Sequence, residues 1–134
     1  MSKVNSESSS MDTDQLQALG RDTISEALGL EILEVTHGHV TGRMPVDSRT
    51  HQPYGLLHGG ASVVLAETLG SVGSHFIAAP LGKGAVGIEV NANHLRGVRA
   101  SSRTKQKVGV ISTKAPLKMV NTIHRFDLMQ TEVV

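Results

Sequence analysis

The hydrophobic positions along the chain follow helical spacing in two regions and cluster or alternate as strands in the others. The first helical region begins after residues 1–11, a polar and serine-rich segment that we predict to be a disordered tail. Asp12 or Thr13 can cap the helix that follows. Gly20 divides this region into two short helices, and Gly29 ends the second.

The second helical region, from His58 to about Ala79, carries the clearest amphipathic pattern in the chain. One apolar stripe recurs at i, i+3 and i+4 spacing. Its members are Ala61, Val64, Leu65, Leu69, Val72 and Phe76. A helix of about 20 residues is roughly 30 Å long, so we expect it to run through the domain rather than along its rim.

The remaining apolar segments predict strands. The strand candidates are residues 30–36, 39–46, 85–90, 105–112 and 122–129. Gly38 predicts the turn of a hairpin that joins the first two, and residues 47–55 form a polar loop before the long helix. This order of elements predicts one α+β domain over residues 12–134, with a single antiparallel sheet.

Composition and charge exclude several classes of function. Among 134 residues, Lys+Arg 13 against Asp+Glu 12 leaves a formal charge of +1, which gives no general attraction to nucleic acid or to a membrane surface. The absence of cysteine excludes disulfides, thiolate zinc sites and cysteine nucleophiles. We find no apolar run of the ~18 residues that a membrane span needs, and no secretory signal. We therefore expect a globular domain in the cytoplasm.

The candidate chemistry lies where the polar loop meets the long helix. The sequence His58-Gly59-Gly60 places backbone N–H groups at a helix N-terminus, where they lack intrahelical acceptors and the helix dipole favours negative charge. Glycine lets a substrate oxygen approach the backbone closely. Such amides can stabilise the oxyanion that develops on a carbonyl group.

Glu67 lies about two turns further along the helix, in a second stripe beside the apolar one. This stripe contains Gly60, Val63 or Val64, Glu67, Ser71 and His75. A carboxylate at the edge of a buried stripe can be partly desolvated, which raises its proton affinity. Together with Gln52 and His58, which can orient a carbonyl group or a water, Glu67 makes acyl transfer one interpretation. Turn, capping and solvated surface roles remain open for each residue taken singly.

The joined segment from Met44 to Ser71 resembles the hotdog-fold acyl-CoA thioesterases. The matching motifs are Gly55-Leu56-Leu57-His58-Gly59-Gly60, Ala66-Glu67-Thr68 and the stretch from Val86 to His94. The most similar subgroup is the phenylacetate type, which includes 1,4-dihydroxy-2-naphthoyl-CoA and hydroxybenzoyl-CoA thioesterases. The resemblance covers residues 29–96, about half of the chain.

This resemblance implies a long helix wrapped by a curved antiparallel sheet, and hydrolysis of a small, aromatic acyl-CoA. It implies active sites at the interface of a homodimer or homotetramer, with no cofactor and no metal. Glu67 is then the nucleophile or general base, the Gly59 amide is the oxyanion donor, and His58 and Gln52 position the carbonyl group or water. Substrate contacts are expected from Gly60, Ser71, His94 and Arg96.

The C-terminal third departs from the family pattern. Lys118, Val120 and Asn121 stand where the family carries a histidine, a turn glycine and an arginine. Because only five residues follow Met129, too few for a turn and a full strand, we expect the sheet to lack an edge strand.

Two other functions remain open on the sequence. A hotdog dehydratase would use similar residues, although the Gln52, His58 and Glu67 set fits hydrolysis better. A non-catalytic acyl-CoA-binding or scaffold variant of the fold would bind CoA without turnover.

Overall fold

The computed structural model of the chain describes residues 12–36, 39–90, 92, 94, 96–99, 103–110, 117–121 and 129–133. The predicted tail at residues 1–11 and the predicted turn at Gly38 lie outside this part of the chain. The helices are α1 (Thr13–Ala18), α2 (Ile24–Ala27) and α3 (Gly59–Ala78), which continues into a 3-10 turn at Ala79–Leu81. The strands are β1 (Glu31–Val35), β2 (His39–Pro45), β3 (Ala85–Val90), β4 (Arg103–Val110), β5 (Leu117–Asn121) and β6 (Met129–Val133).

The two short N-terminal helices form as the sequence predicts. Asp12 occupies the N-cap position of α1, without a hydrogen bond from its side chain. The Thr23 hydroxyl caps α2 by accepting the N–H of Ser25 at 3.1 Å. Gly29 then ends α2 with a φ of 67°, a left-handed conformation that glycine adopts without steric cost.

The six strands form one antiparallel sheet in the order β1-β2-β4-β5-β6-β3. The register shifts once between Ile32 and Glu34 on β1, and once between Gly87 and Glu89 on β3. Irregularities of this kind bend a strand and increase its twist. The sheet therefore curves around the helix that packs on it, and the expected hotdog architecture is confirmed.

The expectation of a missing strand is wrong. Residues 117–121, which we expected to belong to the connection between two strands, form β5 and pair with both β4 and β6. Met129–Val133 is a complete short strand between β5 and β3, so both of its edges are paired. Of the predicted strand at residues 122–129, only Met129 is described, and it begins β6.

Helix α3 is the central element of the core. It contacts all six strands, and Leu65 and Leu69 on its inner face are completely buried. The core around them consists of Leu16, Leu30, Ile32, Val35, Val40, Met44 and Ala61. Contrary to the expectation from the sequence, one segment passes the test for a membrane span: with its 3-10 turn, α3 is long and apolar enough to cross a membrane by length and composition. Because α3 contacts every strand of the sheet, its apolar composition is that of a core helix.

We expect that β2 can approach α3 closely only because residue 42 is a glycine. A Cβ atom added at Gly42 would lie 2.5 Å from Leu69 Cδ2 and 2.9 Å from the Glu31 carbonyl oxygen. The Gly42→Ala variant should therefore lose about 1–3 kcal/mol of unfolding free energy in urea denaturation, because overpacking forces the helix and the strand apart. The control is Gly84→Ala, since a Cβ atom there meets nothing within 4 Å. Equal losses in the two variants would contradict this packing.

Candidate active site

The loop between β2 and α3 is organised around the buried side chain of Thr50. Its hydroxyl donates to the Pro45 carbonyl oxygen at 2.7 Å and accepts the N–H of Asp47 at 3.1 Å. The Thr50 carbonyl oxygen accepts the N–H of His58 at 2.8 Å. Thr50 therefore ties the end of β2 to the residue that precedes α3.

Asp47 and Arg49 strengthen the start of the same loop. The Arg49 guanidinium donates to the Asp47 carboxylate at 2.6 Å, and the Arg49 backbone N–H donates to it at 3.0 Å. The side-chain hydrogen bond, followed by the backbone one, lowers the pKa of Asp47 to about 2. The Asp47 carbonyl oxygen also accepts the N–H groups of Thr50 and His51. This turn lies within the polar loop predicted at residues 47–55, and Asp47-Ser48-Arg49-Thr50 has the composition of an Asx or Ser/Thr turn.

Gln52 is half-buried, and its side chain is oriented by the loop. Its backbone N–H donates to the Leu56 carbonyl oxygen at 2.8 Å, and its side-chain oxygen Oε1 accepts the N–H of Tyr54. Because the Tyr54 N–H group requires an acceptor, this contact shows which end of the Gln52 side-chain amide is the oxygen and which is the nitrogen. Within the described ranges the Nε2 amino group has no acceptor, so it is available as a donor.

His58 caps α3 and thereby distinguishes the two glycine amides that follow. Its Nδ1 atom accepts the N–H of Gly60 at 2.9 Å, so in the neutral imidazole the proton lies on Nε2. The Gly60 amide is therefore occupied. The Gly59 N–H has no acceptor in the part of the chain that the structure describes, as expected for the first turn of a helix. Gly59 thus offers the free amide, and the preceding residue, His58, carries a second donor at Nε2.

The segment after β3 packs against the start of α3. The N–H of Leu57 donates to the Val98 carbonyl oxygen at 2.7 Å. His94 Nε2 lies 3.1 Å from the Gly59 carbonyl oxygen and donates to it. A Cβ atom added at Gly59 would lie only 2.9 Å from this nitrogen, so a larger residue here would displace the His94 side chain. Exposed His94 and Arg96 consequently lie near the N-terminus of α3.

Glu67 and Ser71 lie one turn apart on the exposed side of α3. The sequence predicts that Glu67 is partly buried. In a single copy of the chain it is exposed. The eight residues from Gly59 to Glu67 correspond to an axial rise of about 12 Å. The Gly59 amide and the Glu67 carboxylate of one chain therefore cannot both contact one substrate carbonyl group.

The predicted site residues consequently form two groups within one chain. We call the first the donor half-site; it contains Gln52, His58, Gly59, Gly60 and His94, with Arg96 beside it. We call the second the carboxylate half-site; it contains Glu67 and Ser71. The first can bind and polarise a carbonyl oxygen, and the second can attack a carbonyl carbon or activate a water.

Comparisons with known proteins find similarity to thioesterases. A family model described as the thioesterase superfamily matches residues 54–113. The chain is 46% identical over 84 residues to the 1,4-dihydroxy-2-naphthoyl-CoA hydrolase of Escherichia coli, covering 63% of this chain and 61% of that protein. It is 46% identical over 88 residues to the proofreading thioesterase EntH of Cronobacter turicensis, covering 66% and 64%. The chain thus spans less than two thirds of the length of these curated relatives.

A solved structure extends the similarity over most of the chain. A mutant of thioesterase PA1618 from Pseudomonas aeruginosa superposes with a TM-score of 0.79 and is 38% identical in sequence. The match covers 92% of this chain and 94% of that one. The similarity therefore extends well beyond residues 54–113.

The Asp47–Arg49 pair predicts a defined pH dependence of stability. The pKa of Asp47 is lowered from 3.8 to about 2 on folding. The pair therefore stabilises the fold fully above the unfolded pKa, and its contribution is lost as the pH falls through the folded pKa. The stability difference between the wild type and Asp47→Asn should be constant above pH 5 and shrink from about pH 4 to about pH 2. Urea denaturation at several pH values measures it, and a difference that does not change with pH would contradict the ion pair.

Proposed function

Because the chain belongs to the thioesterase superfamily, we propose that it hydrolyses an acyl-CoA thioester to a free acid and CoA. The observation that carries the proposal is the free Gly59 amide at the start of α3. Two further donors come from the residues before α3: the Gln52 amino group, whose side-chain oxygen binds the Tyr54 N–H, and the His58 Nε2–H group, whose Nδ1 atom binds the Gly60 N–H. A developing oxyanion needs such donors fixed in advance, and the proposal is that the Gly59 amide and these side chains supply them together.

We propose that a second copy of the chain completes the site. The axial rise of about 12 Å between Gly59 and Glu67 separates the amide from the carboxylate within one chain. In a two-fold dimer with the two α3 helices side by side and antiparallel, Glu67 of the partner subunit lies beside Gly59, and the reverse holds at the second site. The same contact covers Glu67, which is exposed in a single copy, and partly buries it. A homotetramer would contain two such dimers.

In the proposed reaction, the thioester oxygen accepts hydrogen bonds from the Gly59 amide and from the oriented donors beside it. Glu67 of the partner subunit then attacks the carbonyl carbon, or removes a proton from a water that attacks it. The C–S bond breaks and CoA leaves as the thiolate, which takes up a proton. In the nucleophilic route, water then hydrolyses the acyl-enzyme anhydride. Both routes consume one water and yield one carboxylic acid.

The substrate is proposed to enter with its CoA portion at the N-terminus of α3. His94 and Arg96 are exposed there and can contact the pantetheine or phosphate groups, so a chain of near-neutral charge can still bind the anionic CoA portion of the substrate. We propose a small, aromatic acyl group. The support is the similarity to the relative from Escherichia coli, which is named for hydrolysis of a naphthoyl-CoA. We place this activity in the cytoplasm.

The Glu67→Gln variant should retain the fold and lose at least about 10² in kcat, because the amide can neither attack nor accept a proton. Release of CoA from benzoyl-CoA and phenylacetyl-CoA can be followed with a thiol reagent, since the chain contains no cysteine that would react. The matched control is Glu34→Gln on the hairpin, which should leave the rate unchanged. A folded wild-type oligomer that binds these thioesters without hydrolysing them would instead favour the non-catalytic alternative.

A mixture of two inactive variants tests the shared site. Gln52→Ala removes a donor and Glu67→Gln removes the carboxylate, so each variant alone should be nearly inactive. In a heterodimer of the two, one site combines an intact Gln52 with an intact Glu67 of the partner subunit. An equal mixture, refolded together, should therefore recover about a quarter of the wild-type rate, because half of the dimers are mixed and each has one working site. A mixture no more active than its components would place both residues in the same-chain site and contradict the proposal.

A further inference from the structure

A cleft of about 340 Å³ lies between the two N-terminal helices and β1, which is an edge strand of the sheet. Its lining comes from α1, the turn after it, α2 and the residues that lead into β1. This volume lies within the range of small-molecule sites. None of the described lining residues belongs to the donor or carboxylate half-site, and the proposed reaction does not use the cleft.

The inner wall of the cleft is apolar. Leu16 from α1 lines it together with Leu30 and Ile32, and all three belong to the buried core. An apolar group in the cleft would therefore leave water and contact hydrocarbon side chains that the fold already holds in place.

The side chain of Ser25 supplies a buried polar group at this wall. Ser25 is only 7% exposed, and it faces Gly20, since a Cβ atom added at Gly20 would lie 3.4 Å from the Ser25 Cβ atom. The Ser25 backbone N–H donates to the Thr23 hydroxyl, and its carbonyl oxygen accepts the N–H of Leu30. Its hydroxyl has no hydrogen-bond partner among the residues that the structure describes. Because an unpaired buried hydroxyl is costly, its place on the wall of a cleft indicates a polar group of a ligand.

The charges around the cleft favour a singly charged anion. Arg21 lines the cleft, and no carboxylate of the described ranges lies within ion-pair distance of it. Of the two lining carboxylates, Glu31 is neutralised by Arg43, and Glu26 accepts the Asp22 N–H at 2.6 Å. An anion beside Arg21 gains one attraction, whereas Glu26 opposes each further negative charge. A carboxylate is therefore favoured over a phosphate dianion.

We propose that this cleft binds a small carboxylic acid with an apolar body. The carboxylate accepts hydrogen bonds from the Arg21 guanidinium and the Ser25 hydroxyl, and the apolar body packs on Leu16, Leu30 and Ile32. The planar guanidinium matches a carboxylate because it can donate two parallel N–H groups. The inference goes beyond the proposed function, since it needs neither hydrolysis of a thioester nor a second copy of the chain.

An NMR titration with benzoate shows whether the acid binds and where. The backbone amide signals of Gly20 and Gly29 report the cleft, and those of Gly59 and Gly60 report the start of α3. Benzoate should shift the Gly20 and Gly29 signals in a saturable way, with a Kd of about 1 mM for so small a ligand. Benzamide has nearly the same shape without the charge, and it should bind at least about tenfold more weakly.

Two variants remove the proposed donors one at a time. Arg21→Gln should weaken benzoate binding at the cleft by about tenfold, and Ser25→Ala by about three- to tenfold. The matched control is Lys83→Gln, which also removes one exposed cation and should leave the affinity unchanged. Because Arg21 is exposed, its replacement tests the site without disturbing the core.

The outcomes of this titration are independent of the thioesterase assay. Shifts confined to Gly59 and Gly60, equal affinities for benzoate and benzamide, or unchanged binding in Arg21→Gln would each overturn the cleft site. The comparison of the two ligands uses the wild type and does not depend on any variant being folded. A chain that binds benzoate at Gly20 and Gly29 but hydrolyses no thioester would overturn the proposed function and leave this site in place.

Discussion

The burial of α3 within the curved sheet is the constraint on which the rest of the structure depends. Leu65 and Leu69 are fully buried, and Gly42 lets β2 approach the helix where any side chain would collide with Leu69. Because all six strands contact this helix, its axis and rotation are set by the core. The exposed line with Glu67 and Ser71, and the free amide at Gly59, take their positions from the same packing.

The hydrogen bonds at the start of α3 leave one backbone amide, that of Gly59, available to a ligand. Every helix begins with unpaired N–H groups, and most are satisfied by a cap or by water. Here the His58 imidazole occupies the Gly60 amide, and His94 binds the carbonyl oxygen of Gly59 rather than its N–H. The loop that Thr50 ties together also carries Gln52, whose side-chain oxygen binds the Tyr54 N–H and whose amino group has no acceptor among the described residues. The donors are therefore held in place before a ligand arrives, which is the condition for effective oxyanion stabilisation.

Because the donor and carboxylate half-sites lie apart on one helix, the proposed chemistry depends on a second copy of the chain. A straight helix cannot bring residues two turns apart onto one carbonyl group, so the proposed chemistry needs a second helix. A side-by-side antiparallel pair would satisfy this need twice through one symmetric contact. Oligomerisation would then be part of the proposed reaction, because it brings an otherwise exposed Glu67 into a desolvated site.

Local patterns in the sequence determined α3, the first hairpin strands and the fold class, because helical and strand periodicity depend on neighbouring residues. The motif around Gly59 and Glu67 likewise identified the candidate chemistry. Only the tertiary structure decided that β5 and β6 complete the sheet, since strand pairing depends on distant partners. It also placed His94 against Gly59, 35 residues away in the chain, and left Glu67 exposed in a single copy. Such contacts and exposures depend on how distant segments pack, which no local pattern encodes.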